Sequence, residues 1–243
     1  MKTAVITGAN RGLGLAITRR LLEENYCVIG VARVCTDELS QLMEVSNIAK
    51  TRLQFISADL SETSSLYSLS QKILAINRKP FALINNAAIG LDGVLGTQHE
   101  KDIDMMIRVN LQAPILLTKY FSRAMMVAQE GRIVNISSII ATTGFSGLAV
   151  YGATKAALIG FSKSLSREVG KIGITVNTVC PGYMETDMTV GLKDEKLESI
   201  RRRSPFGRFA LPSDVAGAVS YLLSSDAKMI TGTTITVDAG STA

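Results

Sequence analysis

Histidine is nearly missing from this chain, since only one of its 243 residues, His99, is a histidine. A Ser-His-Asp hydrolase needs a histidine oriented by a carboxylate, and a histidine-rich metal site needs several. His99 lies in the polar stretch 97–100, where we expect a solvated residue at the start of a helix. The sequence therefore predicts neither a triad hydrolase nor a metal site.

Cysteines are also scarce, and the three present, Cys27, Cys35 and Cys180, form no Cys-x-x-Cys pair. This pattern argues against a disulfide framework and favours a reduced, cytoplasmic setting. Cys180 stands directly before Pro181, and we expect a small packing residue rather than a reactive thiol. The apolar start is too short for a secretory signal, and the uncharged stretch 133–154 is too polar to span a membrane.

Aromatic residues make up 5% of the chain, tryptophan is absent, and the positive charge is dispersed. The 26 basic residues exceed the 21 acidic ones by five, but only Arg201, Arg202 and Arg203 cluster. A nucleic-acid surface needs a denser basic patch with interleaved aromatics, so we expect no nucleic-acid partner. The hydrophobic share of 47% is enough for a large core.

Short apolar runs alternate with longer helical patterns from end to end, which predicts right-handed βαβ crossovers and a parallel sheet. The strands are almost continuously apolar, as expected when helices cover both faces of the sheet. No linker or repeat interrupts the pattern, so residues 1–243 are predicted to form one domain. The predicted strands are Ala4–Thr7, Cys27–Ala32, Leu53–Ser57, Ala82–Asn85, Arg132–Ser137, Ile174–Val179 and Thr234–Val237. The clearest predicted helices are Gly12–Glu24, Ser64–Asn77, Asp102–Gln129, Tyr151–Val169 and Ser213–Ser224.

A glycine-rich turn follows the first predicted strand, with the spacing Gly-x3-Gly-x-Gly. Glycines at such a turn allow the backbone to approach a pyrophosphate, and the N-terminus of the next helix supplies free N–H groups and a positive dipole end. Because the turn lies in the first βα unit, it predicts a dinucleotide site. Its predicted cofactor-binding residues are Gly8, Asn10, Arg11, Gly12, Leu13 and Gly14.

The end of the second predicted strand discriminates between dinucleotides. An acidic residue there binds the ribose hydroxyls of NAD, whereas a basic one suits the 2′-phosphate of NADP. The strand ends at Arg33, and the next acid, Asp37, comes four residues later. Arg11 in the first turn could reach the same phosphate, and two guanidiniums offer bidentate contacts to it. The alternative is a pair of surface arginines; we predict NADP as the cofactor.

Polar residues follow the next two strands. Asp59, with Leu60, comes after the third strand, where its carboxylate could accept from the adenine amino group, cap the following helix, or do both. Asn85 and Asn86, followed by Ala87, come after the fourth. Adjacent asparagines at a strand end either satisfy local backbone groups in a turn or line the cofactor groove, and the residues alone leave both open.

Proton chemistry is predicted after the fifth strand, which runs into Ser137 and Ser138. Tyr151 follows Ser138 by thirteen residues, and Lys155 lies four further on, so Tyr151 and Lys155 share one face of a predicted helix. A free tyrosine titrates near pH 10. A nearby lysine ammonium, together with a positively charged oxidised nicotinamide, would lower the pKa of Tyr151, while Ser138 could hold the substrate oxygen.

Together these motifs resemble those of the short-chain dehydrogenase/reductase family, and the resemblance covers essentially the whole chain. Within the family, the sequence is most similar to the 3-oxoacyl-[acyl-carrier-protein] reductase group. The resemblance implies a Rossmann-type α/β fold, a doubly wound, seven-stranded parallel sheet with helices on both faces. The matching residues are the Gly8–Gly14 turn, Asn85-Asn86-Ala87, Asn110, Ser138, Tyr151, Lys155, Pro181-Gly182, Thr186, Gly232-Thr233 and 237–240.

The resemblance also implies roles for individual residues. Tyr151 would be the general acid in reduction, Lys155 would bind the nicotinamide ribose, and Ser138 would polarise the carbonyl. Asn110, inside a long predicted helix, would hold a water that links Lys155 to solvent. The family's members are commonly homotetramers, so a homotetramer or homodimer is expected. Contacts to the nicotinamide are implied for Pro181, Gly182, Met184 and Thr186.

Three places depart from the family pattern. Ala88 replaces a glycine and would be strained if its φ were positive. Gln129 and Ile172 stand where carrier-protein reductases often have arginines, which weakens the assignment of an acyl carrier protein as partner. Between Ser138 and Tyr151, three apolar side chains could line a substrate pocket or simply pack within a loop: Ile140, Phe145 and Leu148.

The polar segment Glu185–Phe209 is predicted to be a substrate lid. Its arginines, Arg201–Arg203 and Arg208, could attract an anionic coenzyme A or carrier-linked substrate, or could belong to a solvated helix face. The predicted activity is NADPH-dependent reduction of a carbonyl, most simply of a 3-oxoacyl thioester. A secondary-alcohol or polyol dehydrogenase and a non-catalytic nucleotide sensor are the alternatives.

Overall fold

The computed structural model describes residues 1–48, 53–184, 198 and 201–243, with the side chains of residues 47 and 48 left aside. Seven strands form one sheet, and every neighbouring pair is parallel. This confirms the predicted fold class. The strands are β1 Thr3–Thr7, β2 Cys27–Ala32, β3 Leu53–Ser57, β4 Ala82–Asn85, β5 Gly131–Ile136, β6 Ile174–Pro181 and β7 Thr234–Val237.

Helices connect the strands in chain order. In the described residues the α-helices are α1 Gly12–Glu23, α2 Asp37–Ile48, α3 Leu66–Ile76, α4 Glu100–Ile107, α5 Ala113–Ala128, α6 Ile140–Thr143, α7 Ala149–Val169 and α8 Pro212–Leu223. A five-residue π-helical segment, Arg108–Gln112, joins α4 to α5. None of the described helices is long and apolar enough to cross a membrane.

The sheet order is β3-β2-β1-β4-β5-β6-β7. Strands β1 to β3 are therefore added toward one side of the sheet, and β4 to β7 are added from β1 toward the other side. Side chains at alternate positions of each strand point to opposite faces of the sheet, where they pack into two hydrophobic cores. Ala4 and Ile6 join the core beneath α1 and α8, whereas Val5 joins the core beneath α3 and α5. Each fully buried aliphatic side chain contributes roughly 1.5–3 kcal/mol, so the sheet is a rigid platform for the loops at its carboxyl edge.

Most predicted boundaries agree with the structure to within two residues, and two differences matter. The first is α2, which the pattern analysis did not single out. The second is the predicted continuous helix Asp102–Gln129, which is wrong in its middle. There the chain widens into the π-helical segment because Pro114 has no N–H to donate to the carbonyl of Asn110, four residues earlier.

Candidate active site

The predicted site residues gather along the crevice at the carboxyl ends of β1, β4, β5 and β6. In open α/β sheets, ligands bind where the strand order reverses, which here is between β1 and β4. The glycine turn follows β1, and Ser138 lies two residues beyond β5. The crevice therefore has a nucleotide end beside β1 and β2 and a catalytic end beside β5 and α7.

The glycine turn has no room for side chains. Gly8 and Gly12 have φ of 67° and 51°, values that favour glycine. A Cβ on Gly14 would overlap the carbonyl oxygen of Gly8, so helix and strand end approach as closely as backbones can. The side chain of Leu13 points instead into the core. The first turn of α1 holds no acidic residue, which leaves its N–H groups suited to an anion.

Asn86 holds the glycine turn in place. Its Nδ2 donates to the carbonyl oxygens of Thr7 at 2.8 Å and Gly8 at 3.2 Å. The backbone N–H groups of Asn86 and Ala87 both donate to the Thr7 hydroxyl at 3.0 Å. Of the two predicted roles for these asparagines, the structure assigns Asn86 the support of local backbone, directly beneath the groove.

Asn85 turns the other way and begins a buried polar chain that the sequence analysis missed. Its Nδ2 donates to Asn135 Oδ1 at 2.7 Å, and Asn135 Nδ2 donates to the Ser162 hydroxyl at 2.8 Å. The Ser162 hydroxyl in turn donates to the carbonyl of Leu158 at 2.7 Å. This chain ties β4 and β5 to α7 and so fixes the helix that carries Tyr151 and Lys155.

Arg11 and Arg33 are both exposed and lie on two loops that are bonded to each other. Asn10 Nδ2 donates to the carbonyl of Val34 at 3.0 Å, and the Thr36 hydroxyl donates to the carbonyl of Asn10 at 2.6 Å. These bonds fix the spacing of the loops from which the two guanidiniums extend. The arrangement fits a phosphate group on an adenosine ribose.

Asp59 caps the turn after β3. Its Oδ1 accepts hydrogen bonds from the Ser61 N–H at 2.9 Å and the Ser61 hydroxyl at 2.8 Å. The backbone bond from Ser61, above all, holds the pKa of Asp59 below its ordinary value, and the Arg33 charge lowers it further. The capping role is thus present, and among the described residues both of these hydrogen bonds go to Oδ1, so Oδ2 suits the predicted adenine contact. Leu60 is buried in the second core, so only its backbone can face a cofactor.

At the catalytic end, the Ser138 side chain lies close enough to Tyr151 to lower the pKa of its phenol. Lys155 is 2% exposed, and its Nζ donates to the carbonyl of Ile136 at 2.8 Å. The same Nζ lies 5.7 Å from the centroid of the Tyr151 ring. The structure therefore brings together the three residues that the spacing predicted.

The predicted lowering of the pKa of Tyr151 includes the charge of a bound oxidised nicotinamide and stays a prediction, whereas the protein's own groups shift this pKa upward. Burial raises the pKa of Tyr151 above its ordinary value near 10, and the nearby Ser138 side chain opposes this only in part. The negative charge of Asp92 raises it further. Burial also lowers the pKa of Lys155 to about 8, so the ammonium that was expected to favour the phenolate is itself destabilised.

Cys180 packs beneath this group, as predicted for a small buried residue. It is 2% exposed, and burial raises the pKa of its thiol. The nearby Ser137 side chain and Ser138 backbone oppose this shift in part. The Ser137 hydroxyl donates to the carbonyl of Lys155 at 2.7 Å, so Ser137 connects the Ser138 loop to α7.

Asn110 lies in the π-helical segment and bonds the loop after β4. Its side-chain amide exchanges two hydrogen bonds of 2.8 Å with the backbone N–H and carbonyl of Ile89. Its Nδ2 also lies 3.4 Å from the hydroxyl of Thr154, which donates to the carbonyl of Tyr151. Asn110 thus connects this loop to α7. The backbone carbonyl of Asn110 lacks the usual helical donor four residues later, because that residue is Pro114.

The predicted nicotinamide end follows β6. The Ile139 N–H donates to the carbonyl of Pro181 at 3.0 Å, which joins this end to the Ser138 loop. Gly182 is pressed against Asp238, since a Cβ on Gly182 would stand 2.6 Å from the Asp238 Cβ. Met184 packs against the first core. Thr186 lies outside the described residues. The same is true of the rest of residues 185–200 in the predicted lid, apart from Glu198.

His99 is exposed and directly precedes α4, as predicted, and takes no part in the site. Ala88 has no positive φ in the described backbone, so the strain considered for it is absent. Of the three apolar residues between Ser138 and Tyr151, Phe145 is 40% exposed and the other two are partly buried.

In this sheet, the strand order reverses between β1 and β4, and the glycine turn lies at that point. This arrangement is typical of dinucleotide-binding oxidoreductases, and Lys155 and Tyr151 lie together at the catalytic end of the same crevice. A family model described as enoyl-(acyl carrier protein) reductase matches residues 8–242. The chain belongs to this family of short-chain dehydrogenases/reductases, which confirms the resemblance and identifies an oxidoreductase rather than a non-catalytic sensor.

Known proteins resemble the chain over almost its whole length. The 3-oxoacyl-[acyl-carrier-protein] reductase FabG of Escherichia coli is 39% identical, over 98% of this chain and 96% of that protein. A short-chain dehydrogenase of Burkholderia cenocepacia in complex with NADP is 30% identical with a TM-score of 0.91, covering 100% and 98% of the two chains. A provisionally assigned NAD(P)-dependent gluconate 5-dehydrogenase of Beutenbergia cavernae, with NADP at low occupancy, is 31% identical with a TM-score of 0.93, covering 98% and 96%.

Proposed function

We propose that the protein reduces the 3-oxo group of an acyl thioester to a hydroxyl, with NADPH as its cofactor. The observation that carries the proposal is the buried Lys155, which lies beside Tyr151 with Ser138 next to the same phenol. The substrate class rests on the similarity to the Escherichia coli reductase, and the cofactor on two exposed arginines and on the NADP complexes of the similar structures.

The described residues fit a dinucleotide on structural grounds. The Gly8–Gly14 turn presents bare backbone and a helix N-terminus to a pyrophosphate, and the loops of Arg11 and Arg33 are held together next to it. Pro181, Gly182 and Met184 would contact the nicotinamide, as would Thr186 beyond the described residues. When bound, NADPH supplies the hydride that reduces the carbonyl carbon.

The chain's own residues handle the oxygen and the proton. Ser138 and Tyr151 would both donate to the carbonyl oxygen, which gains negative charge as the carbon is reduced. Tyr151 would then transfer its proton to that oxygen, and a raised pKa keeps the phenol protonated before the reaction. Lys155, with its pKa near 8, would return a proton to Tyr151, with Asn110 holding the water that leads to solvent.

The test is the oxidation of NADPH and NADH, followed at 340 nm, with acetoacetyl-CoA as substrate. We expect turnover with NADPH and far slower turnover with NADH. Turnover with NADH alone would refute the cofactor assignment. Activity with other ketones, but none with acetoacetyl-CoA, would keep the mechanism and refute the thioester substrate.

Oxidation of a polyol or secondary alcohol is the second candidate, and the similarity to the Beutenbergia cavernae protein favours it. The same residues would serve, with Tyr151 as the base. Gluconate, sorbitol and 2-propanol with NADP⁺ test it, and turnover that exceeds the rate on acetoacetyl-CoA would make this the better assignment.

We also propose that the protein is a homotetramer or homodimer, with its long helices in the interface. An apolar cavity of about 430 Å³ opens beside α4 and α7, with Leu95, Ile107 and Ala153 in its wall. Ile107 is 42% exposed. Light scattering on the eluting protein would show a dimer or tetramer mass, whereas a monomer at micromolar concentration would contradict the proposal. The cytoplasmic location remains a prediction.

A further inference from the structure

Four arginines lie within eight residues between the site and α8: Arg201, Arg202, Arg203 and Arg208, together the arginine patch. One described carboxylate, Glu198, lies 3.4 Å from both Arg201 Nη1 and Arg202 Nε. In the part of the chain that the structure describes, no carboxylate lies within ion-pair distance of Arg203 or Arg208. The arginine patch therefore carries more positive charge than its described surroundings balance.

An exposed aromatic ring lies inside the arginine patch. The Phe206 side chain is 72% exposed. The guanidinium carbon of Arg208 lies 6.0 Å from the centroid of the Phe206 ring. Cation–π contact of this kind leaves a flat apolar surface bordered by donors, which is the combination that binds a nucleobase attached to phosphates.

Contacts on both sides place the arginine patch beside the proposed nicotinamide end. The ring centroids of Tyr183 and Phe209 are 4.7 Å apart. The Ser204 hydroxyl donates to the carbonyl of Ala239 at 2.8 Å, one residue after the Asp238 against which Gly182 packs. The chain around the arginine patch is thus anchored to the loop that follows β6, at the catalytic end of the crevice.

We propose that the arginine patch and Phe206 bind the adenosine phosphate end of a coenzyme A thioester substrate. Arg203 and Arg208 would hold the phosphates through charge-assisted hydrogen bonds, and the adenine would stack on Phe206. The pantetheine arm would carry the thioester from there to Tyr151. An acyl carrier protein supplies a phosphate on the same arm but no base, so the exposed ring favours coenzyme A. This inference rests on the proposed function.

The experiment compares two thioesters that differ only in the phosphorylated adenosine end, acetoacetyl-CoA and acetoacetyl-pantetheine, in the wild type and an Arg203→Gln/Arg208→Gln variant. For acetoacetyl-CoA we expect kcat/KM to fall roughly 10-fold or more in the variant, mainly through KM. For the short, uncharged thioester we expect no change. Phe206→Leu should weaken acetoacetyl-CoA alone in the same way, by a smaller factor.

The matched control is Arg78→Gln/Lys79→Gln, which removes two positive charges from exposed residues just before β4, at the amino ends of the strands and thus opposite the crevice. It should leave both thioesters unaffected. Equal losses on both thioesters in the arginine-patch variant would overturn the proposal, because the residues would then serve the fold or the nicotinamide. Acetoacetyl-acyl carrier protein is assayed as a third substrate, and a loss confined to it would overturn the proposal in favour of an acidic protein partner.

Calorimetric titration of coenzyme A itself separates this inference from the proposed function. If the wild type reduced neither thioester, the proposed function would fail, yet binding of coenzyme A could still be measured. Binding that disappears in Arg203→Gln/Arg208→Gln and persists in the control supports the inference. Equal binding, or none, in all three proteins overturns it.

Discussion

At the nucleotide end of the crevice, backbone packs directly against backbone, whereas the catalytic end holds buried ionisable side chains. A Cβ on Gly14 would overlap the carbonyl oxygen of Gly8, and the side chains of Arg11 and Arg33 are exposed. Lys155, by contrast, is buried, and burial lowers its pKa to about 8. Substitutions at the nucleotide end should therefore act mainly through added volume, and substitutions at the catalytic end mainly through charge.

Gly14→Ala should have the largest effect on cofactor binding and stability, because the added methyl group has no space between α1 and the end of β1. We expect affinity for NADPH to fall on the order of 100-fold and the melting temperature to drop, as overpacking costs about 1–3 kcal/mol or more. Calorimetric titration and thermal unfolding measure both. Gly217→Ala in α8 is the control, since no atom lies near its Cβ. Unchanged NADPH binding in Gly14→Ala would refute the close approach.

Lys155→Met should come next and should act through charge. We expect kcat for reduction to fall about 10²–10³-fold, within the range for a lost proton-transfer group. In the wild type, kcat should decline as the pH rises through the pKa of Lys155, about 8, because the ammonium that returns a proton to Tyr151 is lost. The profile of the variant should lack this decline. Lys163→Met, exposed on the same helix, is the control.

The same pKa makes a prediction about stability. Between about pH 8 and the unfolded value near 10.4, the unfolded chain holds a proton on Lys155 that the folded chain does not. The contribution of Lys155 to the free energy of unfolding should therefore rise with pH across this window, by up to about 3 kcal/mol. Urea unfolding at pH 7.5 and 10, compared with Lys155→Met, measures it. An identical pH dependence in both proteins would contradict the shift.

Arg33→Gln should have a smaller and selective effect at the nucleotide end. Losing one charge-assisted contact to a 2′-phosphate should raise KM for NADPH roughly 10-fold and leave KM for NADH unchanged. Arg19→Gln, exposed on α1, should change neither. Equal increases for the two cofactors would show that Arg33 does not distinguish them.

Ala88→Gly should have the smallest effect. The backbone at Ala88 has no positive φ, so glycine relieves nothing and only adds freedom to the unfolded chain. We expect a loss of about 0.5–1 kcal/mol in the free energy of unfolding. Stabilisation by this substitution would reveal strain at Ala88 after all.

The nucleotide end was largely predictable from sequence because its requirements are local. A turn that needs positive φ and bare backbone selects glycine at fixed positions, and Gly8, Gly12 and Gly14 stand at those positions. The i, i+4 spacing of Tyr151 and Lys155 is equally local. The parallel sheet followed from the alternation of apolar runs and helical patterns, whereas its seven-stranded, doubly wound arrangement came from the family resemblance.

Features that depend on tertiary packing were not predictable in this way. The raised pKa of Tyr151 in the protein alone comes from burial by other parts of the chain, which the spacing of residues does not indicate. The Asn85–Asn135–Ser162 chain crosses three elements distant in sequence. The π-helical segment was also missed, but it could have been predicted, because Pro114, four residues after Asn110, is a local signal for it.

The most direct test of the catalytic assignment is Tyr151→Phe, with kcat for NADPH-dependent reduction and the dissociation constant of NADPH measured on the same preparation. The substitution removes one hydroxyl and leaves the nucleotide end untouched. We predict a fall in kcat on the order of 10³-fold with NADPH binding within a few-fold of the wild type. Substantial turnover by Tyr151→Phe would contradict the role of Tyr151 as proton donor. It would also contradict the assignment of the chemistry to the catalytic end of the crevice.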